Sequence, residues 1–479
     1  MPKQNYNVVV VGGGTAGWST AALLSKNPNI HVTVIEPSDI PTIGVGESTI
    51  PYMNIIHYKM GFDIFKTSDW LKEVNGTLKF SIEFVDYHDL NHKWIHPFTS
   101  NKGDDNEMTE LTCTGQLPFH LYRSQPDFVI DNYLFPNLRA RRFTSYNEQY
   151  DFSFTPGSGY HIDAALYGNL LKRESLKRDN CNYIDSSVKD ITVNNGNIEK
   201  LILKDNSTIT ADLFVDCTGF RAILANAVEA EWDDSYADRL LVDTAIAVQL
   251  PYINEEVQMR NTTYCHALGY GWSWNVPLQN RIGTGYIFSS KHTTVEQATE
   301  EFKEHLHTMY GYNKDDLKFR TVPFNVGLRP ESWKNNVVAV GLSSFFLEPI
   351  ESTAIAHLQH QADTILDMLS ADWINFKNKR KRFNYLNVKS LDAIASYIEM
   401  HYIFSNRKDT SFWREVTSLD LSGEQKEILR RYTNPEKDLA IKETFGGHSM
   451  FDKSSHMFLF LGFDIAPNQM TDRVREYLS

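Results

Sequence analysis

The segment that most constrains the fold lies near the amino terminus and ends at Glu36. Four consecutive valines, Val8–Val11, predict a parallel strand that is buried on both faces. A glycine-rich turn (Gly12–Gly17) follows, and then come an apolar helical run and a second strand. Glycines at these spacings let the backbone approach a pyrophosphate, and an acid about 20 residues further on binds a ribose hydroxyl. The segment therefore predicts a dinucleotide-binding βαβ unit.

Composition narrows the class of protein. The chain has 479 residues, of which 42% are hydrophobic, enough for two domains or for one large domain with an attached module. The net charge of −13 argues against a nucleic acid or an anionic membrane as partner. The four cysteines form no C-x-x-C pair, so no metal site or disulfide framework is predicted. With no signal peptide and no apolar run of bilayer length, we expect a soluble cytoplasmic protein.

Two later strands bear on which dinucleotide is bound. Leu213–Gly219 ends in Asp-x-Thr-Gly and resembles the second nucleotide-contacting segment of FAD oxygenases. Val337–Gly341 resembles their third segment, although Leu342 stands where those proteins usually have the Asp that binds the flavin side chain. No second G-x-G-x-x-G is present for a nicotinamide cofactor. We therefore predict an α/β chain with an FAD-binding, Rossmann-like oxygenase fold, which receives its reducing equivalents from elsewhere.

A turn near residue 350 combines two acids, two hydroxyls and a helix start. Apolar residues from Ile355 to Leu369 recur at helical spacing, and Ser352 and Thr353 are good N-cap residues for this helix. Unpaired N–H groups and partial positive charge at a helix start favour a small anion. The plainer interpretation is a capped helix after a buried strand.

Three more segments suit a reactive amine or an aromatic pocket. The segment around Lys79 alternates strictly, which puts the lysine on the polar face of a strand. His96 and Phe98 follow in an aromatic-rich stretch, and Trp272 and Trp274 are expected on one side of a strand. The plainer interpretations are a solvated lysine and aromatic residues that fill a core.

The chain is expected to divide into a core, residues 1–385, and a mainly helical carboxyl-terminal module, residues 386–479, that completes the substrate pocket. Substrate-side insertions are expected at about 80–150, and 104–150 shows no clear period. Other elements predicted in the core are a helix from Tyr160 to about Arg173 and two strands of a small sheet, Tyr183–Ile191 and Ile198–Leu203.

Taken together, these motifs resemble the flavin-dependent halogenases, in particular the tryptophan halogenase type. The resemblance extends from Val8 to about Trp413. Its most discriminating part is the W-x-W-x-(I or V)-P element at Trp272–Pro277, which separates this family from related flavin hydroxylases. The other parts are Gly12–Trp18, Gly44–Thr49, Lys79 and Glu348–Thr353.

The resemblance implies a two-site mechanism. Reduced FAD reacts with O2, a halide beside the flavin becomes hypohalous acid, and that acid passes through a tunnel to Lys79. Lys79 holds the halogenating species, and Glu351 positions it and accepts the ring proton. An aromatic substrate is expected between His96 and Phe98. A separate NAD(P)H-dependent flavin reductase is the expected partner.

The resemblance also implies the remaining contacts. The FAD contacts are expected at Gly12, Gly14, Thr15, Ala16, Gly17, Glu36, Val45, Ser48, Val188, Leu342 and Ile355. The halide contacts are expected at Thr353 and Ala354, and the tunnel residues at Trp272, Trp274, Pro277 and Ser352.

Two departures from the family pattern change which halide and which substrate we expect. Ala354 stands where the family usually has Gly, so we expect bromide or iodide to be favoured over chloride. Tryptophan halogenases fix the amino-acid end of their substrate with polar and tyrosine residues, whereas the matching stretch Thr444–Asp452 has no tyrosine pair. An indole-like or phenolic ring without that group is therefore the expected substrate.

Alternative functions stay open at this point. They are a tryptophan halogenase that uses chloride, a flavin-dependent aromatic monooxygenase on the same fold, and a non-catalytic flavin-binding protein. The tryptophan pair and Lys79 argue against the monooxygenase, and the intact Lys79 and Glu351 argue against the non-catalytic protein. Self-association into a homo-oligomer is left open.

Overall fold

The computed structural model describes residues 5–39, 46–66, 69–98, 158–371, 375–434 and 448–479. The predicted insertion at 104–150, the predicted FAD contact Val45 and residues 444–447 lie outside the described residues. Among the described residues, no helix combines the length and the apolar character needed to cross a membrane.

The strands and helices are numbered along the described chain. The strands are β1 Tyr6–Val11, β2 Ile30–Ile35, β3 Glu47–Ser48, β4 Thr77–Lys79, β5 Ser81–Val85, β6 Lys93–Pro97, β7 Gly159–Ile162, β8 Cys181–Ile184, β9 Val188–Asn194, β10 Asn197–Leu203, β11 Thr208–Ile209, β12 Leu213–Asp216, β13 Thr244–Leu250, β14 Thr262–Ala267, β15 Gly271–Pro277, β16 Ile282–Phe288, β17 Arg320–Pro323, β18 Gly327–Leu328, β19 Trp333–Lys334, β20 Val337–Ala339 and β21 Phe345–Phe346. The α-helices are α1 Thr15–Leu24, α2 Tyr52–Met60, α3 Asp69–Glu73, α4 Ala164–Ser175, α5 Ile223–Ala227, α6 Glu255–Gln258, α7 Val295–Tyr310, α8 Thr353–Ser370, α9 Phe376–Ile403, α10 Ser411–Val416, α11 Gly423–Thr433, α12 Lys453–Gly462 and α13 Asp472–Leu478.

A six-stranded sheet carries the amino-terminal unit, in the order β19-β20-β12-β1-β2-β8. All of its pairs are parallel except β19 with β20. The valines of β1 are buried because helices cover this sheet, as a run without polar alternation predicts. This confirms the predicted α/β fold class and the βαβ unit.

A seven-stranded sheet, in the order β17-β13-β16-β15-β14-β5-β6, forms the second layer. Its strands pair antiparallel except β14 with β5. The smaller sheets are β3-β7-β4, β11-β10-β9 and the pair β18-β21. The strand β4 therefore stands at the junction between a small sheet and the large one.

Two sequence-based predictions of local structure, the helix start at Tyr160 and the sheet that contains Tyr183, were wrong in detail. Tyr160 and Ile162 lie in a strand, β7, and the helix α4 begins only after Asp163, whose carboxylate accepts hydrogen bonds from the N–H groups of Ala165 and Leu166. Tyr183 belongs to β8, which pairs with β2 in the six-stranded sheet rather than with the small sheet.

The predicted strand around Lys79 is also interrupted. It breaks at Phe80, whose N–H donates to the Asn261 carbonyl outside either sheet ladder. Its polar residues are buried as well as its apolar ones, so the interpretation of Lys79 as a solvated strand lysine is wrong. Alternation located the lysine on a strand face, but other parts of the chain, including Ser352 and Phe98, cover that face.

The carboxyl-terminal part is helical, as predicted. The suggested boundary after residue 385 falls inside α9, one continuous helix from Phe376 to Ile403. One hydrophobic core contains Val8 of the parallel sheet, Trp272 of the large sheet and Phe458 of α12. The division into two parts stays a prediction.

Candidate active site

The carboxyl end of β1 is shaped to admit a ligand close to the backbone. Gly12 has a φ of +97°, and a Cβ there would lie 2.3 Å from the Cys217 carbonyl oxygen. A Cβ on Gly17 would lie 1.8 Å from the Gly12 carbonyl oxygen. Only glycine fits these positions, so the start of α1 packs tightly against the strand and its N–H groups stay accessible. This cradle fits the pyrophosphate of FAD.

The acid predicted to bind the ribose lies beside this cradle. Glu36 follows β2, and its Oε2 accepts hydrogen bonds from Lys172 Nζ at 3.1 Å and from Trp18 Nε1 at 3.2 Å. A Cβ on Gly13 would lie only 2.0 Å from the Glu36 carboxyl carbon. The carboxylate is therefore oriented towards the glycine turn, as a ribose-binding acid requires.

The other predicted FAD contacts lie on several elements. Gly14 is the N-cap residue of α1, without a side-chain cap, and Thr15 and Ala16 form its first turn. Thr15 Oγ1 donates to the Ala164 carbonyl at 3.4 Å, and Gly341, next to Leu342, packs near Ala16. Val188 is half-buried at the start of β9, and Leu342 is 37% exposed. Ser48 and Ile355 lie further along, in β3 and in the first turn of α8.

Lys79 is fully buried at the end of β4. Its Nζ donates a 2.9 Å hydrogen bond to Ser352 Oγ and lies 4.8 Å from the centre of the Phe98 ring. Burial lowers the pKa of Lys79 to about 7, although Glu351 and Cys265 oppose the shift. Near neutral pH, a substantial fraction of the molecules therefore carries Lys79 as a neutral amine.

Glu351 is buried between two histidines. Its Oε2 lies 2.9 Å from His96 Nδ1, and its Oε1 lies 2.9 Å from His401 Nε2. Burial alone would raise the pKa of Glu351, but the electrostatic attraction of His96 and the hydrogen bonds of both histidines lower it to about 2. The carboxylate is ionised at any working pH.

His401 contributes both of its ring nitrogens to this group. Its Nδ1 lies 3.1 Å from the Tyr397 carbonyl oxygen, and its Nε2 faces the Glu351 carboxylate. The two contacts fix the orientation of the ring. We call Lys79, His96, Phe98, Glu351 and His401 together the Lys79 chamber.

The predicted tunnel residues lie on β15 and in the turn before α8. Trp272 and Trp274 are in edge contact, with ring centroids 6.4 Å apart. Trp272 Nε1 donates to Glu348 Oε1 at 2.9 Å, and the Pro277 carbonyl accepts from Thr77 Oγ1 at 2.8 Å. The tryptophan pair thus faces the acidic turn.

The predicted halide residues begin α8. Ser352 is the N-cap residue with a φ of +60°, but its hydroxyl does not cap the helix, and it accepts the Lys79 hydrogen bond instead. The expectation of a side-chain cap from Ser352 was therefore wrong. Thr353 is buried and Ala354 is half-buried. Because both residues lie in the first turn of the helix, their backbone N–H groups lack intrahelical acceptors.

The predicted substrate residues adjoin an aromatic cluster. His96 and Phe98 are in edge contact, with ring centroids 6.2 Å apart. Tyr397 of α9 stacks on Phe451 at 3.7 Å, and both rings lie within 6.4 Å of the His96 ring. A flat ring can therefore be held by stacking at this side of the chamber.

Sequence reasoning missed several residues of the site. His401 and Tyr402 appeared only as part of a predicted helix, and Cys265 carried no motif. Glu348 was part of the acidic turn but received no role. The local sequence marks none of them, apart from a histidine on a largely apolar helical segment.

One further group of potential metal ligands lies away from the chamber. The ligand atoms of His88, His92 and Asp464 lie within 4.8 Å of one another. Arg473, however, lies 3.0 Å from His88 Nε2 and adds a positive charge beside that ring. This guanidinium would repel a metal cation bound there.

The fold and the chamber define the class of protein. The structure aligns with the flavin-dependent halogenase Xcc4156 from Xanthomonas campestris with a TM-score of 0.82 and 27% identity, over 99% of this chain and 92% of that one. The protein is therefore a flavin-dependent halogenase, an enzyme of the oxidoreductase type.

The family follows from the sequence comparison. The chain belongs to the tryptophan halogenase family, whose model matches residues 7–477. It is 30% identical to the tryptophan 6-halogenase SttH of Streptomyces toxytricini, over 89% of this chain and 83% of that protein. It is 29% identical to the tryptophan 7-halogenase RebH of Lentzea aerocolonigenes, over 89% and 81%.

Proposed function

We propose that this chain halogenates an electron-rich aromatic ring, indole-like or phenolic, with hypohalous acid that is relayed to Lys79. The observation that carries the proposal is the environment of the Lys79 amine, which is buried, bonded to Ser352 and adjacent to the Phe98 ring. An amine with a pKa of about 7 offers both an N–H donor and a free lone pair. It can therefore hold hypohalous acid by a hydrogen bond or bind the halogen as a haloamine.

Glu351 would serve two purposes in this reaction. When the halogen joins the ring, the ring becomes cationic, and the fixed negative charge of Glu351 stabilises it. The ring cation is a very strong acid, so even a carboxylate with a pKa of about 2 can accept its proton. His96 and His401 hold the carboxylate in one orientation through both of its oxygens.

Gly12, Gly17, Glu36 and the start of α1 would hold the flavin. In its reduced form the flavin would supply, with O2, the two-electron oxidation that converts a halide to hypohalous acid. Enzymes of this class use FADH2, halide and O2 in general. We propose that FADH2 comes from a separate NAD(P)H-dependent reductase, since the sequence has no second dinucleotide fingerprint.

We further propose that Thr353 and Ala354 bind the halide through backbone N–H groups at the start of α8. The methyl group of Ala354 changes this site where the family usually has Gly. Bromide and iodide cost less than chloride to strip of water and are easier to oxidise, so they should be favoured.

Two observations bear on the choice of substrate. The relatives SttH and RebH are named for tryptophan, which keeps tryptophan with chloride as the second candidate. The stretch 444–452 lacks a tyrosine pair to bind an amino-acid group. A buried carboxylate or ammonium without partners is costly, so a simple indole or phenol should bind better than free tryptophan.

The test is reconstitution of purified protein with a flavin reductase, NADH, FAD and each halide, read by mass spectrometry. Indole and tryptophan compete at equal concentration. The proposal expects halogenated indole in excess, no product without the reductase, and restored product with chemically reduced FAD. A clear preference for tryptophan would favour the second candidate, and oxygenated but unhalogenated product would overturn the proposal.

A further inference from the structure

The turn before α8 contains a second buried acid, Glu348, which the proposed function does not use. It is 3% exposed. Its Oε1 accepts two hydrogen bonds, from Trp272 Nε1 at 2.9 Å and from Tyr402 Oη at 2.5 Å. Its Oε2 is buried and has no hydrogen-bond partner among the described residues. Both donors point at one oxygen, so the other oxygen is the natural place for a proton.

Glu348 and Glu351 share one turn, but their pKa values are shifted in opposite directions. Neighbouring residues near the end of α9 bind them, since His401 bonds Glu351 and the Tyr402 hydroxyl bonds Glu348. Burial raises the pKa of Glu348 to about 8, although both hydrogen bonds oppose the shift. A pair of acids whose pKa values are pushed apart is typical of acid and base catalysis in one site.

The free oxygen of Glu348 lies in a polar region that adjoins the Lys79 chamber. The Cys265 thiol interacts electrostatically with Lys79, with Glu351 and with Glu348. The Tyr87 hydroxyl is buried, has no hydrogen-bond partner among the described residues and interacts electrostatically with Glu348. These two unpartnered buried oxygens, on side chains that interact electrostatically, indicate a position for a small polar ligand. Trp272, bonded to Glu348, connects this position to the predicted tunnel wall.

We propose that Glu348 is a catalytic acid of halogen transfer and that its Oε2 hydroxyl supplies a proton to the oxygen of hypohalous acid. This inference rests on the proposed function, because hypohalous acid is the reactant. It assigns opposite roles to the two acids of the turn, with Glu348 as proton donor and Glu351 as proton acceptor.

Halogen transfer begins at the bond between oxygen and halogen in hypohalous acid (HOX). The O–X bond of HOX breaks, and the halogen forms a bond to the ring carbon or first to the Lys79 amine. The hydroxide that would otherwise leave takes the proton of Glu348 and departs as water. The proton displaced from the ring, directly or by way of the amine, passes to Glu351. The sum is Ar–H plus HOX giving Ar–X plus H2O, and proton exchange through solvent restores both acids.

The main test is Glu348→Gln. The amide oxygen can still accept from Trp272 and Tyr402, and the amide N–H2 replaces the hydroxyl, but no proton can be transferred. Halogen transfer in a single turnover should slow by about a hundredfold or more. FADH2 binding should stay within about twofold, and hypohalous acid that escapes to added taurine should not decrease. Glu348→Asp keeps the proton and should recover part of the rate.

The pH profile gives a readout that a structural role would not change. The titratable groups that interact with Glu348 are Tyr402, Tyr87 and Cys265, and Cys265 in turn interacts with Glu351 and Lys79. Burial holds the pKa of the two tyrosines and the thiol well above their usual values, and Glu351 stays ionised. A fall in rate above about pH 8 would therefore belong to Glu348. It should vanish in Glu348→Gln and move to higher pH in Tyr402→Phe, which removes a hydrogen bond that lowers the pKa of Glu348.

Infrared spectroscopy tests the protonation state without turnover. At pH 7 the wild type should show a neutral carboxylic acid carbonyl band that shifts in D2O and is missing from Glu348→Gln. Absence of this band, or halogen transfer by Glu348→Gln within about threefold of wild type with an unchanged pH profile, would overturn the acid role alone. Wild-type protein that makes no halogenated product with any halide would overturn the proposed function and the acid role together.

Discussion

The nucleotide end of the parallel sheet and the Lys79 chamber are built by different means. The nucleotide end uses backbone groups and glycines from one short stretch, Gly12–Gly17, with Glu36 close behind. The chamber uses side chains that arrive from β4, from the end of β6, from the turn before α8 and from α9. Its hydrogen bonds join residues as far apart as Lys79 and Ser352.

The difference shows in how each region obtains its chemistry. At the nucleotide end, close packing without Cβ atoms leaves N–H groups accessible to an anion. In the chamber, exclusion of water changes the acidity of the groups themselves. Burial lowers the pKa of Lys79, and the two histidines hold Glu351 ionised. Damage to the first region should therefore weaken binding, and damage to the second should stop chemistry.

The largest effect is expected from Lys79→Ala. It should abolish aromatic halogenation, because no amine then holds the halogenating species, while FAD binding and hypohalous acid formation persist. Product by mass spectrometry and hypohalous acid trapped by taurine measure the two steps separately. Lys379→Ala, which removes another buried lysine on α9, is the control. Normal halogenation by Lys79→Ala would show that the chamber does not depend on this amine.

The next largest effect is expected from Glu351→Gln, which should reduce turnover about a hundredfold or more. The amide keeps the size of the side chain but loses the charge that stabilises the ring cation and accepts its proton. Steady-state rates at saturating substrate are the measurement. Glu174→Gln, at another buried acid, should leave the rate unchanged. If Glu351→Gln turns over like the wild type, the acid only supports the helix start.

At the nucleotide end, Gly17→Ala should weaken FAD binding by about 5- to 150-fold. Its Cβ would meet the Gly12 carbonyl oxygen at 1.8 Å, and overpacking of this kind typically costs about 1–3 kcal/mol. Flavin titration and a thermal melt check it. Gly168→Ala in α4 is the matched control, since a Cβ on Gly168 would lie 3.8 Å from its nearest neighbouring atoms. Equal FAD affinity in both variants would contradict the tight cradle.

Halogen transfer should depend on pH through Lys79. If the neutral amine is the reactive form, the single-turnover rate rises about tenfold per pH unit below the Lys79 pKa of about 7 and levels off above it. Rates from pH 5.5 to 7.5 with chemically reduced FAD avoid any pH dependence of the reductase. A flat profile over this range would mean that the ammonium form serves equally well.

The smallest effect concerns the halide. Ala354→Gly should shift the ratio of chlorinated to brominated product by a few-fold towards chloride, because the halide site then carries the residue usual for the family. Competition between the halides at equal concentration gives the ratio directly. Unchanged ratios, or a wild type that already prefers chloride, would remove Ala354 from the explanation.

Prediction from sequence succeeded where neighbouring residues interact and failed where distant ones do. The βαβ unit, the tryptophan pair on β15 and the helix after Ser352 follow from local spacing. The strand at Tyr160 and the place of β8 in the six-stranded sheet depend on partner strands from elsewhere in the chain. Local spacing does not identify those partners.

The sequence by itself determined the α/β class, the glycine cradle and the chemical types of the active groups, because these depend on backbone sterics and hydrophobic periodicity. Only the tertiary structure decided the protonation states of those groups. Burial lowers the pKa of Lys79 to about 7 and raises that of Glu348 to about 8, whereas His96 and His401 lower the pKa of Glu351 to about 2. Each state depends on desolvation and on partners more than 40 residues away in the chain, which no local pattern records.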